Sequence, residues 1–508
     1  MENKTKVCFA ILILLIFIST NIYAQDNAKR LSLDVSERIR NNRIFDSLSK
    51  EEIETQFNKY LYNFENFNDE ISNDLINYKG GFKFLPIMSI EKAIKDVDFL
   101  FKLLKYGYAG YQFFGGDEKF LYAKSKIVFD IQQRDNIFSV ITTSTFKNIL
   151  YKNLNFIQDG HFSIENMQLC KDYNFFTTEK YIFLKDEIGF YTIIDGYKGY
   201  LVAVNGENPN NYIKLSLNQE GQIVYRLGML SQEQREEFNL CISLKSENED
   251  RLSNKKAILL KQNYKDINQN SLNKEKNPYN RYKLSGISVI EHRTTAPTPK
   301  NIEKLEKFVE EAKEFRNDKI VILDIRGNYG GSETYPHDWV KNYTGENIEY
   351  GNISCSLATN TALKMLINNV EKLYKDPKLI SEVKSMFKVN KTGWSEIEYS
   401  KIKKINNKNL IVVLMDSHVA SGGESFVRLL RQFDNVIFIG SRTSGVKTFG
   451  NVGVCKLPYS KLEINFGMSL FFEPDLKFIE GMGYLPDFWV NSENSLDIAL
   501  KFISNYLK

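Results

Sequence analysis

The chain has 508 residues, of which 43% are hydrophobic and 26% charged, and its formal net charge is +4. That composition belongs to a globular protein with enough residues for roughly two to four domains, and it excludes a fibrous or disordered chain. A small net charge without a dense Lys/Arg block argues against a nucleic-acid partner.

The first stretch, MENKTKVCFAILILLIFISTNIYAQDN, sets Lys4 and Lys6 ahead of an apolar run from Val7 to Ser19, followed by a short segment ending in Ala24. This is the layout of a secretory signal peptide. The apolar run is shorter than the roughly 20 residues that span a bilayer, so residues 1–24 are expected to be cut off and the protein exported to a periplasmic or extracellular location. No later segment is long and apolar enough to span a membrane in the mature chain. Cys8 lies in this leader; Cys170, Cys241, Cys355 and Cys455 are far apart and form no CxxC pair, which suggests neither a zinc site nor a dense disulfide framework.

Residues 25–165 read as a helical N-terminal region. Within it SIEKAIKDVDFLFKLLKYGY begins at a Ser89 cap and repeats apolar residues at helical spacing. Residues 170–265 change to short strand-like runs, KYIFLKD, GYLVAVNGE and FNLCISLK, separated by Gly and Asn turns, and predict a small β-rich domain. The polar run KQNYKDINQNSLNKEKNPYN is a linker or exposed excursion. From 281 to 508 strand and helix alternate. GISVIEHR, KIVILDIRG, NLIVVLMD and VIFIG are strands, while Ile302, Leu305, Phe308, Val309 and Ala312 make one helix face. Such alternation predicts an α/β layer around an at least partly parallel sheet.

Three stretches carry chemistry. In DSHVASGGESF, Ser421 stands where an apolar strand gives way to a helix striped by Phe426, Leu429, Leu430 and Phe433. Unpaired amides at that helix entrance suit an anionic intermediate, though serine is also a common N-cap there. In LDIRGNYGG, Gly327, Gly330 and Gly331 let the backbone turn and bring amides close to a ligand; neither a phosphate loop nor a dinucleotide fingerprint is present. In FIQDGHFSI, a turn-prone Asp159-Gly160 precedes His161, one of four histidines with His292, His337 and His418. Each is a possible base near neutral pH.

The ordered motifs VILDIRGNYGG, DSHVASGGESF, VIFIGSRTSGVKTFGN and IEGMGYLPDFWV resemble those of the serine peptidases of the carboxyl-terminal processing protease and tricorn core type, peptidase family S41. The resemblance covers most of residues 85–495 and implies an α/β catalytic core of the ClpP/crotonase-like type. It implies that Ser421, three residues before Glu424, is the nucleophile, and that the amide of Gly422 with that of Gly330 or Gly331 forms the oxyanion hole. One branch of that family uses a lysine in a TFGKGxxQ segment as base. Here Lys447 of TSGVKTFGN lies one position late and Asn451 replaces the glutamine, so Lys447 is the alternative base. The tricorn-like branch uses an upstream histidine oriented by a glutamate, which matches His161 and Glu480; both Lys447 and Glu480 could instead be solvated surface charges. The surroundings of Lys447 promise no apolar pocket, and His418 has no counterpart in the family and reads as a loop residue.

GYLVAVNGENPNNYIKL resembles the strand and turn of a PDZ domain, as many members possess, without a clear carboxylate-binding loop. The expected function is an exported serine endopeptidase acting on a peptide or protein substrate, with no metal or organic cofactor. The rival readings are a catalytically silent peptide-binding member of the same fold and a Ser421/Lys447 dyad peptidase.

Overall fold

The computed structural model describes residues 35–37, 39–40, 43, 48–64, 86–134, 138–247, 252–262, 277–373, 377–390 and 392–507. The expected leader (1–24) and most of the expected linker lie outside these. No helix among the described residues is long and apolar enough to cross a membrane.

Beyond a short helix at Lys50–Phe57, the N-terminal region holds three longer ones, α1 (Ile90–Gly107), α2 (Gly116–Gln132) and α3 (Thr143–Leu154). α1 starts because the Ser89 hydroxyl accepts from Lys92 N. It buries Ala93, Val97, Leu100 and Leu104 on one face. α3 leads through a short loop to β1 (Ser163–Ile164).

Next come β2 (Asn174–Lys185), β3 (Phe190–Ile194), β4 (Tyr197–Val204), β5 (Ile213–Leu217), β6 (Ile223–Ser231), β7 (Glu237–Ser246) and β8 (Leu252–Lys261). They pair in the order β8-β7-β4-β3-β2-β6-β5, and β8 returns to β2 through Leu260↔Thr177, so five of them close into a ring. Among the described residues this segment holds a single 3-10 turn, Pro209–Asn211, and no α-helix.

The third region contains β9 (Tyr279–Leu284), β10 (Ile287–His292), β11 (Ile320–Asp324), α4 (Thr334–Thr344), β12 (Ile353–Ser356), β13 (Leu410–Met415), α5 (Gly422–Leu430), β14 (Val436–Gly440), β15 (Phe449–Lys456), β16 (Glu463–Phe472) and β17 (Phe488–Trp489). Strands β10, β11, β13, β14 and β17 lie side by side and parallel, in register through Val289↔Ile322, Ile322↔Val412, Val412↔Ile437 and Ile439↔Phe488. All six residues of β13 are buried, as both faces of a central parallel strand should be. At β17 the pair Trp489↔Ser216 carries the same sheet into the β-rich segment.

A second sheet decides where His161 goes. Its central strand β16 pairs with β12 (Ser354↔Phe471), with β15 (Val454↔Asn465) and with β1 (Ile164↔Ile464). The residues just after His161 are thus a strand of a sheet built mostly from the C-terminal half. Phe162, fully buried, locks the contact against Tyr108 (ring centroids 5.2 Å apart) and Phe466 (5.6 Å). Burying one such ring stabilises by about 1.5–3 kcal/mol.

Candidate active site

Three loops leave the carboxyl ends of the adjacent strands β11, β13 and β14, where open α/β sheets place their ligands. The first holds Gly330 at φ +96; a Cβ there would lie 2.5 Å from Ala420 O and 2.6 Å from Gly422 N, so only glycine lets this loop touch the second. Asp416 at the end of β13 fastens the two together by accepting from Gly327 N at 2.8 Å and His418 N at 3.1 Å.

The second loop ends at Ser421, whose backbone has φ 50 and ψ −118 at the mouth of α5. A non-glycine residue held there costs about 1–3 kcal/mol and persists only where its surroundings over-determine it. Those surroundings are hydrogen bonds. Ser421 N donates to Val446 O (3.1 Å) and to Glu424 Oε2 (3.2 Å), while Glu424 also accepts from Thr443 Oγ1, Gly445 N and Val446 N of the third loop. The N-cap position and the pocket-facing position of Ser421 are therefore one and the same.

His161 Nε2 lies 3.3 Å from Ser421 Oγ. Its main chain is held from two sides: Asp159 Oδ1 accepts from His161 N at 2.7 Å, and Glu480 Oε1 accepts from Gly160 N at 2.9 Å. Glu480 Oε2 accepts from Lys447 N (3.1 Å) and Thr448 N (2.8 Å). Glu480 thus departs from the expected contact with the imidazole: it orients the turn that carries His161, through the backbone. It is also buried rather than a surface charge, because three amides converge on its carboxylate.

Lys447 requires a larger correction. It is 4% exposed, not solvated, and the pocket that its neighbours in sequence did not promise is supplied by residues far away in the chain. Its Nζ donates to Ser425 Oγ at 2.7 Å and lies 3.6 Å from Glu333 Oε1, which in turn accepts from Ser425 Oγ at 2.6 Å. Ser425 is one helical turn beyond Ser421, so this bond commits the ammonium to a position one turn along α5 from Ser421.

For the expected oxyanion hole, Gly330 drops out. Its N–H is spent on Asn328 Oδ1 at 3.0 Å, leaving the Gly331 and Gly422 amides as the pair beside Ser421. Gly331 packs so close to Gly422 that a Cβ on the latter would sit 2.8 Å from Gly331 O and 3.1 Å from Gly331 N. A cavity of 320 Å³ opens here, lined by His161, Gly331, Glu333, Ser421, Lys447 and Phe471. His337 and His292 lie elsewhere: His337 Nε2 is 2.7 Å from Ile348 O, and His292 stacks on Phe308 with centroids 3.9 Å apart.

Burial sets the charges. Desolvation lowers His161 to about 4, with Lys447 adding to the effect and the Phe449 main chain opposing it, so the ring is neutral at pH 7. Glu480 is pushed up to about 7 by burial against the pull of its three amides, with Glu424 adding. Asp159 is raised by burial and then by Glu480. Donor atoms of Asp159, His161 and Glu480 lie within 4.8 Å of one another, but both Glu480 oxygens already accept from amides and His161 Nε2 faces Ser421, so the group serves as a hydrogen-bonded scaffold. Burial also lowers Lys447, helped by Arg428 and opposed by Glu333.

Residues 287–490 match the family model described as Peptidase family S41. Over these residues the chain is similar to peptidase family S41. Solved structures similar to this chain include mature CPAF, 14% identical with TM-score 0.41 over 82% of this chain and 96% of that one. A putative peptidase from Parabacteroides merdae is 14% identical with TM-score 0.39 over 83% and 98%. The tricorn protease is 11% identical with TM-score 0.33 over 82% of this chain and 37% of that chain. No curated protein matches by sequence.

Sequence reading passed over Glu424 as an anchor, and over Glu333, Ser425 and Arg428 altogether. The signal was there: Ser421, Ser425 and Arg428 recur at i, i+4 and i+7, a polar stripe on a helix whose other face is apolar.

Proposed function

We propose that this chain is an S41-type serine peptidase that cleaves peptide bonds by acyl transfer. The observation that carries the reading is the 3.3 Å approach of a neutral His161 Nε2 to Ser421 Oγ, while Lys447 is bonded to Ser425 instead. Ser421 Oγ forms a bond to the substrate carbonyl carbon as its proton passes to His161 Nε2. The Gly331 and Gly422 amides take the developing oxyanion; one such donor is worth about 10²–10³ in rate. The proton then goes to the leaving amine, the C–N bond breaks, and water, deprotonated by the same histidine, releases the acid and restores Ser421.

Endopeptidase action on exported peptide or protein substrates belongs to the same proposal. So does export by removal of residues 1–24, which an N-terminus at or near Gln25 in the secreted protein supports and an intact Met1 refutes. A ClpP/crotonase-like core is supported by the parallel run β10-β11-β13-β14-β17 with its site at the strand ends. The PDZ-like reading of residues 170–265 rests on the strand Tyr197–Val204 and its Asn205-Gly206 turn.

The test is a fluorophosphonate probe with peptide mapping. Labelling of Ser421 in the wild type, lost in His161→Ala, supports an activated serine; an unlabelled Ser421 in folded protein shows a silent member of the fold.

A further inference from the structure

Next to the Ser421 cavity lies a cluster of buried charged side chains that the proposed reaction does not use. Arg428 continues the polar stripe of α5 one turn below Ser425, is 2% exposed, and none of its three side-chain nitrogens has a hydrogen-bond partner. Around it, within electrostatic reach, stand Lys447, Glu333, Tyr350 and Tyr484. The neighbouring carboxylates are committed elsewhere. Glu333 is engaged by Ser425 and Lys447, Glu424 by the third loop and Ser421, and one oxygen of Glu473 by the Tyr484 hydroxyl. The other Glu473 oxygen is buried without a partner, and Glu473 bears on Lys447, not at ion-pair distance from Arg428 among the described residues. Arg431, three residues on, places its guanidinium over the Tyr484 ring at 5.4 Å and adds a further positive charge.

Glu333 lies within electrostatic reach, but a buried guanidinium with no hydrogen-bonded counter-charge is among the costlier things a fold can keep; leaving one partner of a buried pair alone costs about 3–5 kcal/mol. Five N–H donors in a planar fork have one natural complement, a small anion.

We propose that a monovalent anion binds between Arg428 and Lys447, directly behind the Ser421 cavity. Arg428 does not line the cavity, whereas Lys447 does, so an ion free in solution suits this position better than a side chain of the substrate. Held there, the anion adds a second negative partner for Lys447 and keeps its ammonium charged and anchored on Ser425. An acidic substrate group reaching Lys447 from the cavity is the other source of the same chemistry.

The halide arm of the test is independent of the peptidase reading; the peptide arm rests on it. Thermal unfolding of the full chain is followed in potassium bromide and in potassium gluconate at equal ionic strength. The expected result is a saturable rise in Tm with bromide of about 2 °C, the scale for a modest excess of ligand over its dissociation constant. The rise should vanish in Arg428→Met and persist in Arg428→Lys, and bromide-soaked crystals should give an anomalous peak beside Arg428. In the peptide arm, kcat/KM is compared for substrates that differ only by a carboxylate or its amide in the residue filling the cavity. A tenfold preference for the acid, lost in Arg428→Met, assigns the anion to the substrate. Equal Tm in both salts together with no acid preference overturns the site and leaves only water there.

Discussion

Lys447 and Ser425 are joined by a 2.7 Å hydrogen bond one turn past Ser421, and this bond commits the ammonium to Ser425. It also makes the two candidate bases experimentally distinct. His161→Ala should lower kcat about 10²–10⁴-fold at pH 7–8, the range of a lost general base. Lys447→Ala should lower Tm, since it removes the ammonium beside Glu333 and the donor to Ser425, yet keep kcat of the folded fraction within tenfold. Kinetics normalised to folded protein by circular dichroism decide; the reverse ranking restores a lysine dyad.

Ser421→Ala removes the attacking oxygen and should abolish turnover while shifting Tm little. Ser421→Gly is the more informative variant. Glycine occupies φ 50 without the strain that serine bears there, so it should be equally inactive but more stable than Ser421→Ala by about 1 kcal/mol or more. Urea midpoints of the two variants check this; a less stable glycine variant means the backbone at 421 is not strained.

The acid limb of kcat/KM should lie well below the ordinary histidine range, because His161 is lowered to about 4 and works as a base only when neutral. Stability has the same sign. His161 (about 4) and His292 (about 3) are both depressed by burial, so on acidification the unfolded chain takes up protons from about pH 6.5 while the folded one does not. Stability present above pH 6.5 is therefore lost progressively as pH falls toward 4 and then 3. Replacing His292 by Phe, which keeps the stack on Phe308, should flatten that fall in chemical denaturation at pH 7 and pH 5. An unchanged slope assigns the loss to other groups.

Glu480→Gln keeps the size of the side chain but turns one acceptor oxygen into a donor facing the amides of Gly160 or of Lys447 and Thr448. An unsatisfied buried amide costs about 1–3 kcal/mol. Because Glu480 holds the His161 turn rather than the ring, kcat should fall with KM nearly unchanged, and the acid limb should stay where it is. A shifted limb would mean that Glu480 acts on the imidazole directly.

Periodicity alone pointed to the alternating α/β layer of residues 281–508, the β-rich segment before it and the helical region before that, because each of these buries its apolar face locally at spacings of two or 3.6 residues. The strand-to-glycine and strand-to-serine junctions, at Gly330 and Ser421, were legible for the same reason: close backbone approach demands small residues in the chain itself. The tertiary structure decided what charges do. Lys447 reads as a polar loop residue among TSGVKTFGN, yet Glu424 and Glu480, 23 residues before it and 33 after, take up the amides of its loop and draw it inward. Glu480 looks like a direct partner for His161 but grips the peptide group before it, a one-residue difference that no spacing encodes. Burial and hydrogen-bond direction depend on which distant segments meet, so a sequence can nominate the charged residues of a site while only the packed chain assigns each of them its partner.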